Sequence, residues 1–364
     1  MDFSSKKLNG GNDSRRSGWL RQSAKLKCNA RALIWVWLLT LGASAAEAGI
    51  RPIPVIFDTD IGNDVDDALA LAMLHALETR GEAHLLAVTI TKDNKWAAPF
   101  VNLVNTFYGR PRVPIGVVKN GKTPEDSAMI RVPSERKTPD GRLVYPRDII
   151  DGSAAPDALP VLRSALAGEP DDSVVIIQVG FSTNLARLLD TGADGSSPMS
   201  GKDLARRKVH LLCCMAGSYA SGTPEYNVRM DLSAARKLFT EWPTPIVASG
   251  LEMGQSILYP AISIERDFAY VADHPISEAY RNYKKMPYDR PTWDLTAVLY
   301  AIRPDRGYFD LSPPGWITVG DDAVTRFEPS ANGSRRYLIV NDKQRERALE
   351  AMIYLASQPP CRGN

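Results

Sequence analysis

Cysteine and histidine are scarce in this chain, four of each in 364 residues. Cys213 and Cys214 are neighbours in an apolar run, and adjacent strand residues point to opposite faces. With Cys361 they make three thiols beyond the N-terminal region, which cannot all pair, so a disulfide framework is excluded in favour of buried small hydrophobes and one tail thiol. After the first fifty residues no segment has the apolar length expected of a membrane span. Neither an internal repeat nor a break in composition divides the rest, which reads as one domain over residues 49–364.

A basic excess is also missing once the N-terminus is set apart. Residues 1–48 combine a basic opening (Arg15, Arg16, Arg21, Lys25, Lys27, Arg31) with the apolar "ALIWVWLLTLGASAAEA", ending in small residues. This pattern predicts a secretory signal peptide with a long front end, cleaved after Ala45 or Ala48; an uncleaved N-terminal anchor is the competing reading. Its removal takes away eight Lys/Arg and three Asp/Glu and turns the formal charge from +2 to −3. No nucleic-acid footprint survives that change, and the expected location is secreted or periplasmic, with no membrane attachment after cleavage.

What the chain does have is negative charge in one place. "FDTDIGNDVDDALAL", residues 57–71, sets Asp58, Asp60, Asp64, Asp66 and Asp67 between an apolar run and a helical Ala/Leu stretch. Asp64 as an N-cap with Asp67 in the first turn accounts for two of the five. Asp60, Asp66 and Asp67 crowd a strand end, where mutual repulsion raises their pKa values unless a cation sits among them. With no histidine or thiol nearby, a hard, oxygen-seeking ion such as Ca²⁺ or Mg²⁺ is the natural partner.

The surrounding pattern alternates. "PIPVIFDTD", "HLLAVTIT", "SVVIIQVG", "KVHLLCCMAG" and "PTPIVASG" read as strands, each followed by a helical stretch. This predicts an α/β fold: a predominantly parallel, mixed sheet with helices on both faces, whose loops at the strand carboxyl ends gather the reactive groups. Residues 118–158 are long, charged and rich in Pro and Gly, to be read either as functional cover or as a poorly ordered loop. The stretch "GWITVGDDAVTRFEPSANGSRRYLIV" predicts a C-terminal hairpin, followed by a helix from Lys343 to Ala356.

"DTDIGNDVDD", "KDN", "VGFSTNLA", "PEYNVRMDLSAA" and "WDLTAVLYAIRP" together resemble, in order, the motifs of the inosine/uridine-preferring nucleoside hydrolases. The acidic loop has two extra residues before its paired aspartates, and the resemblance spans residues 53–305. It implies a Rossmann-like nucleoside hydrolase fold and a Ca²⁺ cofactor held by Asp60, Asp67, Asp294 and the carbonyl of Val179. It also implies a small-molecule nucleoside or other ribosyl substrate. Asp60 is then the candidate base, Asp66 the partner of the 2′-hydroxyl, and Asn94, Glu225 and Asn227 the holders of the rest of the sugar, with Tyr226 and Trp293 stacking on the base. The competing structural roles are a helix cap for Asn94 or Asp294 and a turn for Glu225 and Asn227. Because such proteins often assemble as dimers or tetramers, the resemblance leaves room for a homo-oligomer.

The pattern breaks at two points. Trp293 stands where many members carry a histidine that can protonate the leaving base, an assistance worth about 10²–10⁴-fold. His75, His84, His210 and His274 do not obviously replace it. The asparagine that commonly precedes the glutamate by six residues is missing as well, with Ser218 or Ser221 as substitutes. The expected activity is calcium-dependent hydrolysis of ribonucleosides to ribose and free base. The alternative is a ribosyl-binding protein that is non-catalytic or of altered specificity. A phosphatase of the haloacid-dehalogenase type, with Asp58 as nucleophile, is the weaker rival, since it has no use for the paired aspartates or the distant "WD".

Overall fold

The computed structural model describes residues 51–361, so the predicted signal peptide lies outside the described residues. Five of the predicted strands form as β1 (Ile53–Thr59), β2 (Ala83–Lys92), β4 (Val174–Gln178), β5 (Val209–Met215) and β6 (Ile246–Ser249). β3 (Ile115–Lys122), which the sequence reading had not separated from the loop after it, lies beside β2. β7 (Leu258–Tyr259) and β8 (Arg290–Pro291) form a small separate antiparallel pair, and β9 (Asp310–Leu311) adds to the sheet's far side. The expected C-terminal hairpin is β10 (Gly315–Val319) and β11 (Thr325–Pro329). β12 (Arg335–Ile339) pairs parallel to β6 and joins this hairpin to the main sheet.

The main sheet runs β11-β10-β12-β6-β5-β4-β1-β2-β3, parallel from β12 to β3. Alternation along each strand feeds two cores. Val55, Phe57 and Cys213 enter one, and Ile56, Ile176 and Cys214 the other, so the adjacent cysteines do face opposite sides. Fully burying a side chain such as Ile56 is worth about 1.5–3 kcal/mol.

Two helices matter most for the site. Asp66–Thr79 is buried from Asp66 to Leu77 on every side, and Trp293–Ile302 is almost equally enclosed. They pack against each other, and each carries aspartate in its first turn: Asp66 and Asp67 on one, Asp294 on the other. Two apolar helices that bury themselves in one core thus bring their acidic, dipole-positive ends together at the strand carboxyl edge.

The segment 118–158 is not structureless, and its Thr123 hydroxyl accepts Asn63 Nδ2 of the acidic turn at 3.1 Å. It completes β3 and then forms the helix Ala128–Glu135, which packs on Pro275–Tyr283. Arg136 ties it down through Asp273 at 2.7 Å and Glu278 at 2.6 Å.

Candidate active site

β1 ends at Thr59, and the chain turns through Asp60–Asp64 with Gly62 at φ +113°. A side chain there is strained, and its Cβ would stand 2.6 Å from Ile130 Cδ1. The turn delivers Asp60 to a pocket of about 370 Å³ lined also by Asp64, Asp66, Asp67 and Asp294. Carboxylate oxygens of Asp66, Asp67 and Asp294 lie within 4.8 Å of one another, all buried. Asp66 Oδ2 accepts the backbone N–H of Asp294 at 3.1 Å. Asp67 accepts the Thr59 hydroxyl through one oxygen, while its Oδ2 is buried without any partner.

Burial pushes Asp60, Asp66, Asp67 and Asp294 up. Asp60 reaches about 6, and Asp66, Asp67 and Asp294 rise well above the carboxylate range, with the neighbouring carboxylates adding to the effect. Among the described residues no cationic side chain is bonded to those three. An orphaned buried oxygen in an all-oxygen donor set is what a hard divalent cation satisfies, so the residues fit such an ion.

Asp60 is held by a residue of its own turn. Its Oδ2 accepts Asn63 Nδ2 at 2.8 Å, and Asn63 Oδ1 accepts the buried Lys92 Nζ at 2.8 Å. Lys92 also donates to the Thr123 carbonyl at 2.7 Å. Sequence reasoning passed over both Asn63 and Lys92; the signal was a lysine closing a largely apolar strand, two residues before Asn94.

Across the pocket, Glu225 caps the short helix Tyr226–Met230, accepting the N–H groups of Asn227 (2.8 Å), Val228 (3.1 Å) and Gly217 (3.1 Å). Burial nonetheless lifts its pKa to about 7. Asn227 Nδ2 donates to the carbonyls of Val179 at 2.8 Å and Met215 at 3.0 Å. The Val179 carbonyl therefore sits at the pocket with one lone pair used and a second remaining. Tyr226, Tyr283, Leu251 and Trp293 make an apolar wall. Trp293 is fixed by its Nε1 donating to the Leu251 carbonyl at 2.9 Å and by lying on Gly254, where a Cβ would come within 2.2 Å of the indole.

Three sequence expectations are corrected, and the rival phosphatase reading loses its nucleophile. Asn94 does not line this pocket: its Nδ2 donates to the carbonyls of Pro124 (3.1 Å) and Glu125 (3.0 Å), and its Oδ1 accepts the N–H of Trp96 at 2.9 Å. Asp64 is not the N-cap, a position taken by Val65; Asp64 pairs with Arg290 instead. Ser218 and Ser221 bond each other at 2.7 Å, and Glu252 engages the Ser218 hydroxyl at 2.6 Å and the Ser221 N–H at 2.8 Å, away from the pocket lining. Asp58 is wholly buried under Thr89 and Asn184, so it offers no nucleophile to a substrate.

The structure thus brings Asp60, Asp66, Asp67, Val179, Glu225, Tyr226, Asn227, Trp293 and Asp294 around one cavity and adds Asn63, Asp64, Tyr283 and Arg290. "STN" has a supporting part: Thr183 Oγ1 donates to Asp231 at 2.6 Å, and Asn184 Nδ2 to Asp58 at 2.9 Å.

The family model of the inosine-uridine preferring nucleoside hydrolases matches residues 55–353. Among solved structures, a plant nucleoside hydrolase aligns at TM-score 0.60 with 20% identity, covering 85% of this chain and 100% of its own. The inosine-uridine preferring nucleoside hydrolase of Bacillus anthracis aligns at 0.61 with 17% identity, covering 84% and 99%. An inosine-guanosine nucleoside hydrolase aligns at 0.62 with 19% identity, covering 83% and 98%. These likenesses show the same fold. No curated protein sequence matches the chain.

Proposed function

This chain belongs to the inosine-uridine preferring nucleoside hydrolases, hydrolases acting on N-glycosyl compounds, and we propose that its acidic pocket cleaves ribonucleosides to ribose and free base with calcium as cofactor. The observation that carries this reading is the meeting of Asp66, Asp67 and Asp294 with Asp60 on one side of a cavity whose other side holds Glu225 and Asn227.

In this reading Asp60, Asp67, Asp294 and the Val179 carbonyl hold the ion. A calcium ion there would supply positive charge to neutralise these carboxylates and to make a neighbouring water easier to deprotonate. Asp60, oriented by Asn63, takes a proton from the attacking water. Asp66 orients the 2′-hydroxyl, and Glu225 and Asn227 fix the rest of the sugar. The buried carboxylates favour the oxocarbenium-like ribosyl centre as the base departs. Tyr226, Tyr283 and Trp293 exclude water from the base and give its ring a face to pack on. Residues 1–48 support export, with secretion or a periplasmic location.

The test is ribose release by purified protein from inosine, uridine and nitrophenyl riboside, with calcium and after chelation. Calcium-dependent release supports the reading. Absence of release from all three supports the second one, a ribosyl-binding protein, which is favoured by Trp293 standing where a proton donor is expected.

A further inference from the structure

Among the described residues lining the pocket, Arg290 is the one cation. It lies on β8, four residues before Asp294, beside the aromatic residues Tyr283 and Trp293 of the lining. Its Nε donates to Asp64 Oδ1 at 2.8 Å, and its Nη2 to Asp64 Oδ2 and to the Tyr283 hydroxyl at 3.0 Å. The guanidinium lies over the rings of Tyr283 at 5.0 Å and Trp293 at 5.1 Å. Two donors and two ring faces therefore fix its plane, while Nη1 donates to no described residue. A surface ion pair does not need such a clamp, and this one holds a guanidinium with an unspent pair of N–H groups among the residues that line the cavity.

Resting on the hydrolase reading, we propose that Arg290 meets the leaving base and stabilises the negative charge it acquires, in place of proton donation by a histidine. No histidine lines the pocket among the described residues. Burial raises the phenols of Tyr226, to about 12, and of Tyr283, which makes both poor acids. Arginine keeps its proton at every working pH, so it acts through fixed N–H dipoles aimed at developing charge. Asp64 neutralises its formal charge, and the effect comes from the short-range donors.

The step balances without a general acid. The bond from C1′ to the base nitrogen breaks with its electron pair passing to the base, water oxygen bonds to C1′, and Asp60 takes one water proton. The base leaves as an anion and is protonated by solvent, to which Asp60 later returns its proton. A guanidinium offers donors only, so it suits bases that present a carbonyl oxygen beside a ring-nitrogen acceptor, as in its pairing with guanine, and does not suit an amino edge.

Initial rates on inosine, adenosine and nitrophenyl riboside, with wild type, Arg290→Gln and Arg290→Lys at saturating calcium, test this. Loss of one transition-state donor predicts a fall of about 10²–10³-fold in kcat for inosine in Arg290→Gln. The same change predicts a much smaller fall on nitrophenyl riboside, whose phenolate leaves unaided, and a collapse of the preference for inosine over adenosine. Arg290→Lys, which keeps a donor on a folded scaffold checked by melting, recovers part of the inosine rate. Equal losses on all three substrates overturn the proposal and make Arg290 a support for Asp64. If wild type cleaves no riboside, the hydrolase reading fails separately. Hypoxanthine binding then decides: unchanged affinity in Arg290→Gln overturns the contact, and a loss of about tenfold or more, about 1.4 kcal/mol, with ribose affinity unchanged supports it.

Discussion

Replacing Asp294 by asparagine tests the acidic cluster through stability. Oxygens of Asp66, Asp67 and Asp294 lie within 4.8 Å, and at an effective dielectric of about 20 a fully ionised pair at that separation repels by about 3.5 kcal/mol. Asparagine at 294 removes two of the three pairs in the metal-free protein. The raised pKa values show that protonation already relieves part of this repulsion, so the net gain is about 2–3 kcal/mol. For a unit of this size that corresponds to about 3–5 °C in Tm. In wild type, calcium at a hundredfold excess over its Kd adds about 2.7 kcal/mol. The assay is thermal melting of both proteins with chelator and with calcium. Asp294→Asn is expected to melt above wild type without metal and to lose most of the calcium-induced rise. A variant that melts lower without metal and keeps the full calcium shift refutes the reasoning.

Lys92→Met leaves Asn63 Oδ1 and the Thr123 carbonyl without their donor, a loss of about 1–3 kcal/mol. Denaturant melts are expected to show that loss, and steady-state kinetics a lower kcat because Asp60 loses its orienting chain; a normal kcat contradicts it. Asn94→Ala removes the bonds to the Pro124 and Glu125 carbonyls and from the Trp96 N–H and costs about 1 kcal/mol, with kcat and KM unchanged; a raised KM restores the sugar-binding reading. Burial holds His75 and His274 near 3, against an ordinary value of 6.5. Between those values the unfolded chain binds protons that the folded chain refuses, so stability falls as pH drops from about 6.5, by up to about 1.4 kcal/mol per unit per group. His75→Gln at fixed calcium is expected to flatten that slope by about one proton; an unchanged slope contradicts neutral burial of His75.

Much of this was legible from pattern. The alternating strands and helices follow hydrophobic period, and the acids of the first loop and the distant Asp294 stood out because charge beside an apolar helix needs a reason. What escaped depended on tertiary convergence. β3 and the helix Ala128–Glu135 lie in a charged segment with Pro133 inside the helix, and the Arg136 pairs with Asp273 and Glu278 that anchor it come from more than 130 residues away. Asn94 could cap or bind, and the carbonyls of Pro124 and Glu125, invisible in sequence, decided for the structural role. Nothing in the sequence singles out Arg290, whose place follows from the fold bringing Asp64, Tyr283 and Trp293 around it.

The most direct measurement of the central claim compares wild type with Asp60→Asn at saturating calcium, following base and ribose release from inosine together. The account predicts equal amounts of both products from wild type and a loss of about 10²–10⁴-fold in kcat in the variant, the usual share of a general base. Unchanged turnover in Asp60→Asn would contradict the assignment of this pocket as the place where the glycosidic bond is cut.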